Sequence, residues 1–533
     1  MIVLALAFAL SAPQEQPAQK VSISGTVADF VTDALLNKVR VLAEPVGRNG
    51  IANATTSDDK GNFTLVDLPP GAYRLRGIRN GYLSTRYGAK RADAAGTTLT
   101  LEAGAQFKDL QLKLIPFAVV AGTVLDPDGE GLAEARVALI AVRYRNGRRQ
   151  AVATGQYATT DEAGRFRIPS VPPGSYYLHA GPPEQFGEWE DHSRKGSPEE
   201  ILVPAFYPAT TDIGSARKFD VNAGDRLEGA DITLIRSKVY RVRVRLESPE
   251  GLRSGVGLDP RPNLSDGISP NLPSNCRNGV CEFRHVPAGS YTASAQISRP
   301  QMTITEMFSS HDRIEMPVDV TNGDVDDVHI LITQPSEVTG HITIEESGEK
   351  PKLDFGVRFI TPSGDDLSSR VGSDGSFGAR LSRGLYEVEP YSPSGLIVKS
   401  MRSGDVDVLR EGLNINKPEK VPLEIVLSRD GAVLDGVVRD KDDHAISAAT
   451  VVLVPENALR ARIGLYQVVS SDQLGHYHFA AVMPGSYKLF AWSYIEPDSW
   501  FDVDVLKDFE SFGSPITLDA KAHANADLRV IVH

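Results

Sequence analysis

Short stretches of alternating apolar and polar residues recur along the whole chain. Five of them begin roughly 100 residues apart, at Ile23–Val27, Val120–Val124, Tyr240–Leu246, Val338–Ile344 and Val433–Val438. Five more follow these in turn, at Leu110–Leu114, Ile232–Ile235, Val328–Ile332, Leu423–Leu427 and Leu528–Val532. Because successive side chains of a strand point to opposite faces, this alternation predicts half-buried strands of antiparallel sheets.

Two turn signals lie between the strands of each set. The first is a turn before an aromatic residue, at Asp58–Phe63, Asp161–Phe166, Cys276–Phe283, Gly372–Phe377 and Asp472–Phe479. The second is a Gly-x-Tyr sequence, with tyrosines Tyr73, Tyr176, Tyr291, Tyr386 and Tyr487. Consecutive copies are 95–115 residues apart, which is the length of a domain and too long for a solenoid unit.

Each signal predicts a defined piece of backbone. The glycine of the first signal supplies the positive φ that a hairpin loop requires, so this signal predicts a β-hairpin. Pro-Gly before the tyrosine predicts a type II turn, in which Pro fixes φ and Gly accepts a positive φ. A buried tyrosine whose hydroxyl binds nearby backbone would lock this corner, as in immunoglobulin-like sandwiches. We therefore expect the five tyrosines to be structural.

The repeats divide the chain into a short leader and five β-sandwich domains. The predicted boundaries are residues 1–12 for a signal peptide, then 20–115, 116–236 with a loop insertion, 237–334, 335–429 and 430–533. No Gly/Ser linker separates one domain from the next. We therefore expect a semi-rigid row of domains, extending roughly 150–200 Å if they lie in line.

The motifs carry a family resemblance. Gly25-Thr26-Val27, then Asp58-x-x-Gly61-x-Phe63, then Pro69-Pro70-Gly71-x-Tyr73 resembles the carboxypeptidase regulatory-like domain, a transthyretin-like β-sandwich. The resemblance implies an all-β fold, a tandem array of about five immunoglobulin-like or transthyretin-like antiparallel sandwiches. The third repeat lacks the opening glycine, and Arg383 replaces the proline in the fourth. Because the family consists of accessory domains, it implies a fold and no activity.

Composition narrows the classes of partner. Lys and Arg total 56 against 69 Asp and Glu, a net charge of −13, so nucleic acid is not an expected partner. Two cysteines exclude a disulfide-dense scaffold and a four-thiolate zinc site.

The N-terminus resembles a secretion signal. Ile2–Leu10 is an uninterrupted apolar run of nine residues followed by small residues, although no Lys or Arg precedes it. The run is too short for a membrane span and fits the apolar core of a signal peptide. We expect a secreted, periplasmic or cell-surface protein that does not cross the membrane.

The motifs of common enzymes are absent from the sequence. No histidine has a glutamate three residues later, and no nucleophile elbow, Gly-x-Gly-x-x-Gly or phosphate-binding loop occurs. We expect no catalytic residues, no cofactor and no metal. His476 and His478 would share one face of a strand, and the loops at Asp126–Asp128 and Asp440–Asp443 could take calcium. Solvent-facing histidines and Asx turns are the commoner explanations.

Cys276 and Cys281 flank Arg277-Asn278-Gly279-Val280. If Asn278-Gly279 forms a two-residue turn, the cysteines face each other across the hairpin with Cα atoms about 4.5 Å apart. That separation is at the short end of the disulfide range. We expect a disulfide in a secreted protein, the alternatives being two free thiols or a redox pair.

The segment Phe490–Phe501 concentrates aromatic residues beside acidic ones. Exposed rings of Trp492, Tyr494 and Trp500 would suit stacking on sugars, and these are the candidate ligand-binding residues. The alternative is a loop that folds back to cap the sandwich. A second insertion, Gly181–Pro208, carries Trp189 and Tyr207 and raises the same two alternatives.

The favoured function is a non-catalytic structural or adhesive protein at or outside the cell surface, with an extracellular protein or polysaccharide as partner. The first alternative is a carbohydrate-binding accessory protein that uses the aromatic loop of the last domain. The second is an enzyme whose site the sequence does not reveal.

Overall fold

The fold was analysed in a computed structural model of the chain. It describes residues 20–46, 53–89, 91, 94, 96–183, 200–247, 253–262, 264, 272, 274–298, 313–345, 355–361, 366–391 and 395–532. The predicted signal peptide and Trp189 lie outside the described residues. Within those residues the chain forms ten sheets, two for each of five consecutive units, which confirms the all-β fold of tandem sandwiches.

The first unit spans residues 21–114. One sheet contains, in spatial order, Asn62–Leu68, Val21–Asp29 and Gln106–Leu114. The other contains Asn53–Thr56, Arg40–Pro45, Gly71–Ile78 and Thr85–Arg86, with Thr98–Leu101 also paired to Gly71–Ile78.

The second unit spans residues 118–233. One sheet contains Arg165–Val171, Ala118–Leu125, Arg226–Leu227 and Ile232–Thr233. The other contains Arg148–Thr159, Arg136–Arg145, Gly174–Gly181, Ala205–Phe206 and Phe219–Val221. A 3-10 helix covers Ile213–Ser215.

The third unit begins with the strand Ile235–Glu247. Its first sheet contains Glu200–Val203, Ile235–Glu247, Val280–Pro287, Ser274–Arg277 and Val325–Leu331. Its second contains Arg253–Pro260, Gly289–Ser298 and Arg313–Val320. Glu200–Val203 comes from the insertion of the second unit, so these two units share a sheet.

The fourth unit spans residues 336–428. One sheet contains Ser376–Leu381, Ser336–Ile344, Lys420–Ser428, Ile397–Ser403 and Val406–Asp407. The other contains Asp366–Arg370, Gly356–Ile360, Gly384–Tyr391 and Leu413–Ile415. An α-helix covers Val408–Glu411.

The fifth unit spans residues 432–529. One sheet contains His476–Val482, Ala432–Arg439, His523–Asn525 and Leu528–Arg529. The other contains Gln467–Ser470, Thr450–Pro455, Gly485–Trp492 and Ser514–Leu518. The α-helix Val503–Phe509 and the 3-10 helices Asn457–Leu459, Ile463–Leu465, Ser499–Phe501 and Glu510–Phe512 complete it. Among the described residues, every helix is too short or too polar to cross a membrane.

The opening and closing strands of each unit pair in parallel, which differs from the expected antiparallel sheets. Val21–Asp29, for example, runs parallel to Gln106–Leu114 and antiparallel to Asn62–Leu68. Alternation of apolar residues predicts which face of a strand is buried, and it carries no information on strand direction. At Gly25 the closing strand lies so near that a Cβ would come within 1.9 Å of the Leu110 carbonyl oxygen, so the opening glycine allows this parallel contact.

The turns of the first signal form with the predicted positive φ, but only the third closes a hairpin. Ser274–Arg277 pairs with Val280–Pro287, whereas in the other four units the strands before and after the turn belong to different sheets, so the predicted hairpin is wrong there. The glycines of the first signal have φ between 75° and 90°: Gly61, Gly164, Gly279, Gly375 and Gly475. Asp58 shows how the turn is held, because its carboxylate accepts hydrogen bonds from the backbone N–H groups of Lys60 (2.9 Å) and Asn62 (2.8 Å). Asp161 and Asp472 make the equivalent pairs of bonds.

The corner tyrosines are buried, and each hydroxyl donates to the carbonyl oxygen four residues earlier. The bonds are Tyr73 to Pro69 (2.9 Å), Tyr176 to Pro172 (2.8 Å), Tyr291 to Pro287 (2.8 Å), Tyr386 to Ser382 (3.0 Å) and Tyr487 to Met483 (2.7 Å). The structural role predicted for these tyrosines is confirmed, even in the fourth unit, which lacks the proline.

The predicted type II turn at this corner is wrong. Each motif glycine is the first residue of a strand, and three of the five do not have a positive φ. The glycine is needed for another reason: the tyrosine ring folds over it. A Cβ at Gly174 would lie 3.1 Å from the Tyr176 hydroxyl.

The five units do not form an extended row, because the last unit contacts the first. The side-chain amide of Gln473 accepts a hydrogen bond from the Thr100 N–H (3.0 Å) and donates one to the Thr100 carbonyl (3.1 Å). The Gln473 N–H also donates to the carbonyl of Thr98 (3.2 Å). These contacts join the turn of the last unit to an edge strand of the first, so the array folds back on itself.

Candidate functional site

The aromatic loop of the last unit forms a second hydrophobic core instead of an exposed platform. Trp492 is fully buried and Trp500 is 8% exposed, so of the two alternatives the structure has the loop that folds back over the sandwich, and neither of these candidate rings is free to stack on a sugar. Trp492 stacks on Phe490 with ring centroids 5.2 Å apart and meets Phe509 edge-on at 5.6 Å. Both tryptophans therefore serve packing.

The helix Val503–Phe509 explains this burial. The Asp502 side chain caps its first turn by accepting from the Asp504 N–H (2.9 Å), and Leu506 and Phe509 face the indoles. Directly after the helix, the Glu510 carboxylate binds the guanidinium of Arg460 at 3.0 and 3.1 Å and the ammonium of Lys488. These ion pairs, with the Arg460 hydrogen bonds as the main cause, lower the pKa of Glu510 to about 2.

Tyr494 is the one candidate ligand-binding residue that reaches the surface. It is half-buried, and the Arg91 guanidinium lies 4.0 Å from the centre of its ring. Arg91 belongs to the first unit, so Tyr494 marks a junction between units.

A groove of about 1070 Å³ opens at this junction. Strands of the second sheet of the second unit form its floor, with Tyr144 and Tyr177 among the lining residues. Phe30 and Arg91 of the first unit line one side, and Tyr494 and Glu496 of the last unit line another. Three units thus contribute to one concave surface, and such inter-domain clefts are where proteins commonly bind ligands.

A basic hairpin of the second unit connects the groove to the last unit. Its tip, Asn146-Gly147, has positive φ at both residues, as a tight hairpin turn requires. The Phe501 backbone approaches so closely that a Cβ on Gly147 would lie 2.8 Å from its carbonyl carbon. The Asn146 N–H donates to the carboxylate of Asp498. Burial nevertheless raises the pKa of Asp498, because the contact removes it from water.

The cations and the carboxylates of the groove differ in their partners. Among the described residues, Arg143, Arg149 and Lys218 make no ion pair, and all three are exposed. Arg149 does lie over the Tyr144 ring, 5.9 Å from its centre. The carboxylate of Asp220 accepts from the Ser175 hydroxyl, and that of Asp225 accepts from the Asn222 N–H (2.8 Å).

The two cysteines face each other across the hairpin Ser274–Arg277 and Val280–Pro287, and a disulfide joins them. Their Cα atoms are 4.0 Å apart, slightly closer than the separation expected from the sequence. The bond closes a small loop at a sheet edge, far along the chain from the groove residues.

His476 and His478 lie exposed on one face of their strand, as the pattern predicts. His478 Nδ1 is 2.7 Å from Asp435 Oδ1, so this imidazole already has a carboxylate partner. In the loop after Asp440, ligand atoms of Asp440, Asp442 and His444 lie within 4.8 Å of one another. The Asp440 carboxylate accepts from the N–H groups of Asp442 and His444 (2.9 Å each), which is the bonding of an Asx turn.

The groove was not predicted from the sequence. The segment Arg143–Arg149 contains four arginines in seven residues within an acidic chain, and this cluster was the signal that could have drawn attention to it. No local sequence pattern indicates that the last unit completes the groove.

Comparison with known proteins identifies the fold more clearly than any activity. The model of the carboxypeptidase regulatory-like domain family matches residues 22–114 and 119–190. A search among curated proteins finds no match.

The chain is similar to several solved structures of bacterial proteins. One is the TIE protein of Bacillus anthracis, with 11% identity, 78% of this chain and 74% of that one covered, and a TM-score of 0.16. Another is the major pilin subunit BcpA of Bacillus cereus, with 9% identity, 96% and 99% covered, and a TM-score of 0.15. The minor pilin GBS52 of Streptococcus agalactiae has 13% identity, 41% and 95% covered, and a TM-score of 0.22. Similarities this distant say nothing about what this chain binds.

Proposed function

We propose, from the match of the carboxypeptidase regulatory-like domain model to residues 22–114 and 119–190, that the chain is a non-catalytic scaffold that is secreted, periplasmic or displayed at the cell surface. Its role is to bind an extracellular protein or polysaccharide, and the groove between the first, second and last units is the binding surface.

One observation carries this proposal: the recurring motif residues all make structural bonds. The corner tyrosines bind carbonyl groups of their own unit, and the turn aspartates bind N–H groups of their own turn. The repeat therefore maintains a framework, and the chemistry available to a partner lies where different units meet.

The carbohydrate-binding alternative changes in one respect. Burial of Trp492 and Trp500 removes the two indoles as sugar platforms, whereas Tyr494 remains at the rim of the groove. A sugar site in the groove would thus use tyrosines of two units in place of one aromatic loop. An enzyme with an unrecognised site remains the second alternative.

Localisation tests the proposal first. The full chain is expressed in a bacterium that has a periplasm, beside a variant that lacks residues 2–12, and the fractions are examined by intact-mass spectrometry. We expect the full chain outside the cytoplasm, shortened at its N-terminus, and lighter by two hydrogen atoms for the Cys276–Cys281 disulfide. Unprocessed cytoplasmic protein with two free thiols would contradict the proposal.

A further inference from the structure

We propose that the groove binds an acidic saccharide, a chain of sugars that bear carboxylates. This inference rests on the proposed function, because it names the ligand class of the binding surface proposed above.

The charge of the groove is the first argument. The whole chain has a net charge of −13, yet the hairpin Arg143–Arg149 carries four arginines and no acidic residue. Of the groove cations, Arg143, Arg149 and Lys218 make no ion pair among the described residues. A guanidinium presents a planar fork of N–H donors that matches a carboxylate, so exposed arginines in a concave site favour an anionic ligand.

The acidic residues of the groove only partly offset this charge, because the lining has three carboxylates (Asp220, Asp225, Glu496) against four cations (Arg91, Arg143, Arg149, Lys218). Asp220 and Asp225 accept hydrogen bonds from the Ser175 hydroxyl and the Asn222 N–H, within the second unit. Glu496 is the remaining carboxylate of the lining. Burial is the main cause of the raised pKa of Tyr144, and the negative charges of Asp502 and Glu496 contribute to it.

The aromatic rings are the second argument, and they favour a sugar. Tyr144 and Ile140 are four residues apart on one strand, and Tyr177 lies opposite Ile140 on the next. Because side chains alternate between the faces of a strand, both tyrosine rings lie on the same face of the sheet. Both are half-buried, as is Tyr494 across the groove.

Tyrosine rings next to guanidinium groups match the apolar C–H face and the carboxylate of an acidic sugar. The C–H face of the pyranose packs on a phenol ring, its hydroxyls reach the phenol oxygens, and its carboxylate pairs with a guanidinium. An acidic peptide would satisfy the cations and leave the ring faces without an equivalent partner.

Isothermal titration of the full chain with oligogalacturonate, at low and high salt, tests the inference. Neutral dextran oligomers and poly-glutamate of similar length serve as comparison ligands. We expect binding of oligogalacturonate that weakens with salt, because exposed charges are screened, and no binding of dextran.

Three substitutions should change the affinity, two by weakening it and one by strengthening it. R149Q and K218Q each remove an exposed cation, and we expect about a tenfold loss of affinity or more for each, since a bond to a charged group contributes that much. E496Q removes a carboxylate that repels an anionic ligand, so it should strengthen binding. R167Q, an exposed arginine on the other sheet of the same unit, is the matched control and should bind like the wild type.

Several outcomes would overturn the inference: no binding of oligogalacturonate, equal binding of dextran, or affinities that R149Q, K218Q and E496Q leave unchanged. If poly-glutamate binds as tightly and responds to the variants in the same way, the ligand class is an acidic peptide and not an acidic saccharide.

A different result would contradict the proposed function. It is contradicted if oligosaccharides recovered after titration have been cleaved, whereas a chain that is secreted and does not bind oligogalacturonate leaves it standing.

Discussion

At the scale of single residues, the fold depends on polar side chains that are buried and fully bonded. The corner tyrosines are the clearest example. Each ring is packed in its core, and each hydroxyl reaches one carbonyl oxygen. Burial raises the pKa of Tyr487 to about 12, so this phenol stays neutral and remains a donor over the physiological pH range.

Removing one corner hydroxyl should weaken its unit moderately. Tyr176→Phe keeps the ring, which is 1% exposed, and deletes the bond to Pro172. We expect the unfolding free energy of the second unit to fall by about 1 kcal/mol, the net contribution of one hydrogen bond. Calorimetric unfolding measures this as a lower transition temperature for that unit. Tyr157→Phe, at a ring 57% exposed, is the control; an equal effect there would contradict a special role for the corner.

A second buried hydroxyl recurs immediately before the turn aspartate, at Ser57, Thr160 and Ser471. Thr160 Oγ1 accepts from the Ala135 N–H (2.8 Å) and donates to the Leu132 carbonyl (2.6 Å). Ser57 and Ser471 bond in the same way. This bridge was missed in the sequence because a small polar residue before an Asp turn resembles ordinary loop composition.

Thr160→Val should cost more than Tyr176→Phe. Valine has the same shape, but it leaves the buried Ala135 N–H without a partner, and the desolvation of an unpaired group costs about 1–3 kcal/mol. Thr160→Ser keeps the hydroxyl and should lose much less stability. Chemical denaturation of the three proteins compares them, and equal midpoints for Val and Ser would show that the bridge contributes nothing.

At the scale of elements, the last unit differs from the others by its helical cover. The helix Val503–Phe509 closes over Trp492, and the Glu510 ion pairs hold its end to the sheet. The Glu510 pKa falls from its ordinary value of 4.5 to about 2 because Arg460 and Lys488 bind the ionised form. The ion pairs therefore contribute stability above pH 4.5 that is lost as the pH falls from 4.5 towards 2.

Glu510→Gln should lower the stability of the last unit at pH 7. The difference from the wild type should shrink below pH 4.5 and disappear near pH 2, where the wild-type carboxyl is protonated too. Tryptophan fluorescence during unfolding reports this directly, because Trp492 contacts Phe509. Asp508→Asn, at an exposed site on the same helix, should show no such pH dependence. A constant difference between pH 7 and pH 2 would rule out ionisation as the cause.

Elements whose signals are local were predictable from the sequence. The turn at Gly61 and the corner at Tyr73 depend on residues within five positions of each other, so a short motif specifies them. The burial of Trp492 was not predictable, because the sequence shows a cluster of aromatic residues without showing which segment covers it. Parallel pairing of Val21–Asp29 with Gln106–Leu114 was likewise hidden, since it joins segments some 80 residues apart.

At the scale of the whole molecule, contacts between distant units determine the candidate site. Thr100 and Gln473 are 373 residues apart, and no periodicity signals their contact. Tyr494 and Arg91, also in the first and last units, stack at the rim of the groove. The groove exists only while these units are together, which is why the sequence predicted the units but not the site.

The folded-back arrangement of the five units can be tested through the dimensions of the molecule in solution. We expect small-angle scattering of the full chain to give a maximum dimension well below the roughly 150–200 Å of an extended row. Gln473→Ala with Arg91→Ala removes two contacts between the first and last units and should increase the radius of gyration. Gln106→Ala, at an exposed glutamine of the first unit, should leave it unchanged. An extended wild-type particle would contradict the folded-back arrangement.

The parallel pairing of opening and closing strands has a mechanical consequence. Because the two strands run side by side in the same direction, the chain enters a unit at one end and leaves it at the other. Tension applied to the two ends of such a unit would slide these strands past each other and load their hydrogen bonds in shear. The bonds must then break together, whereas a hairpin pulled at its ends opens one bond at a time. A protein built from units of this kind is suited to carrying force along its chain.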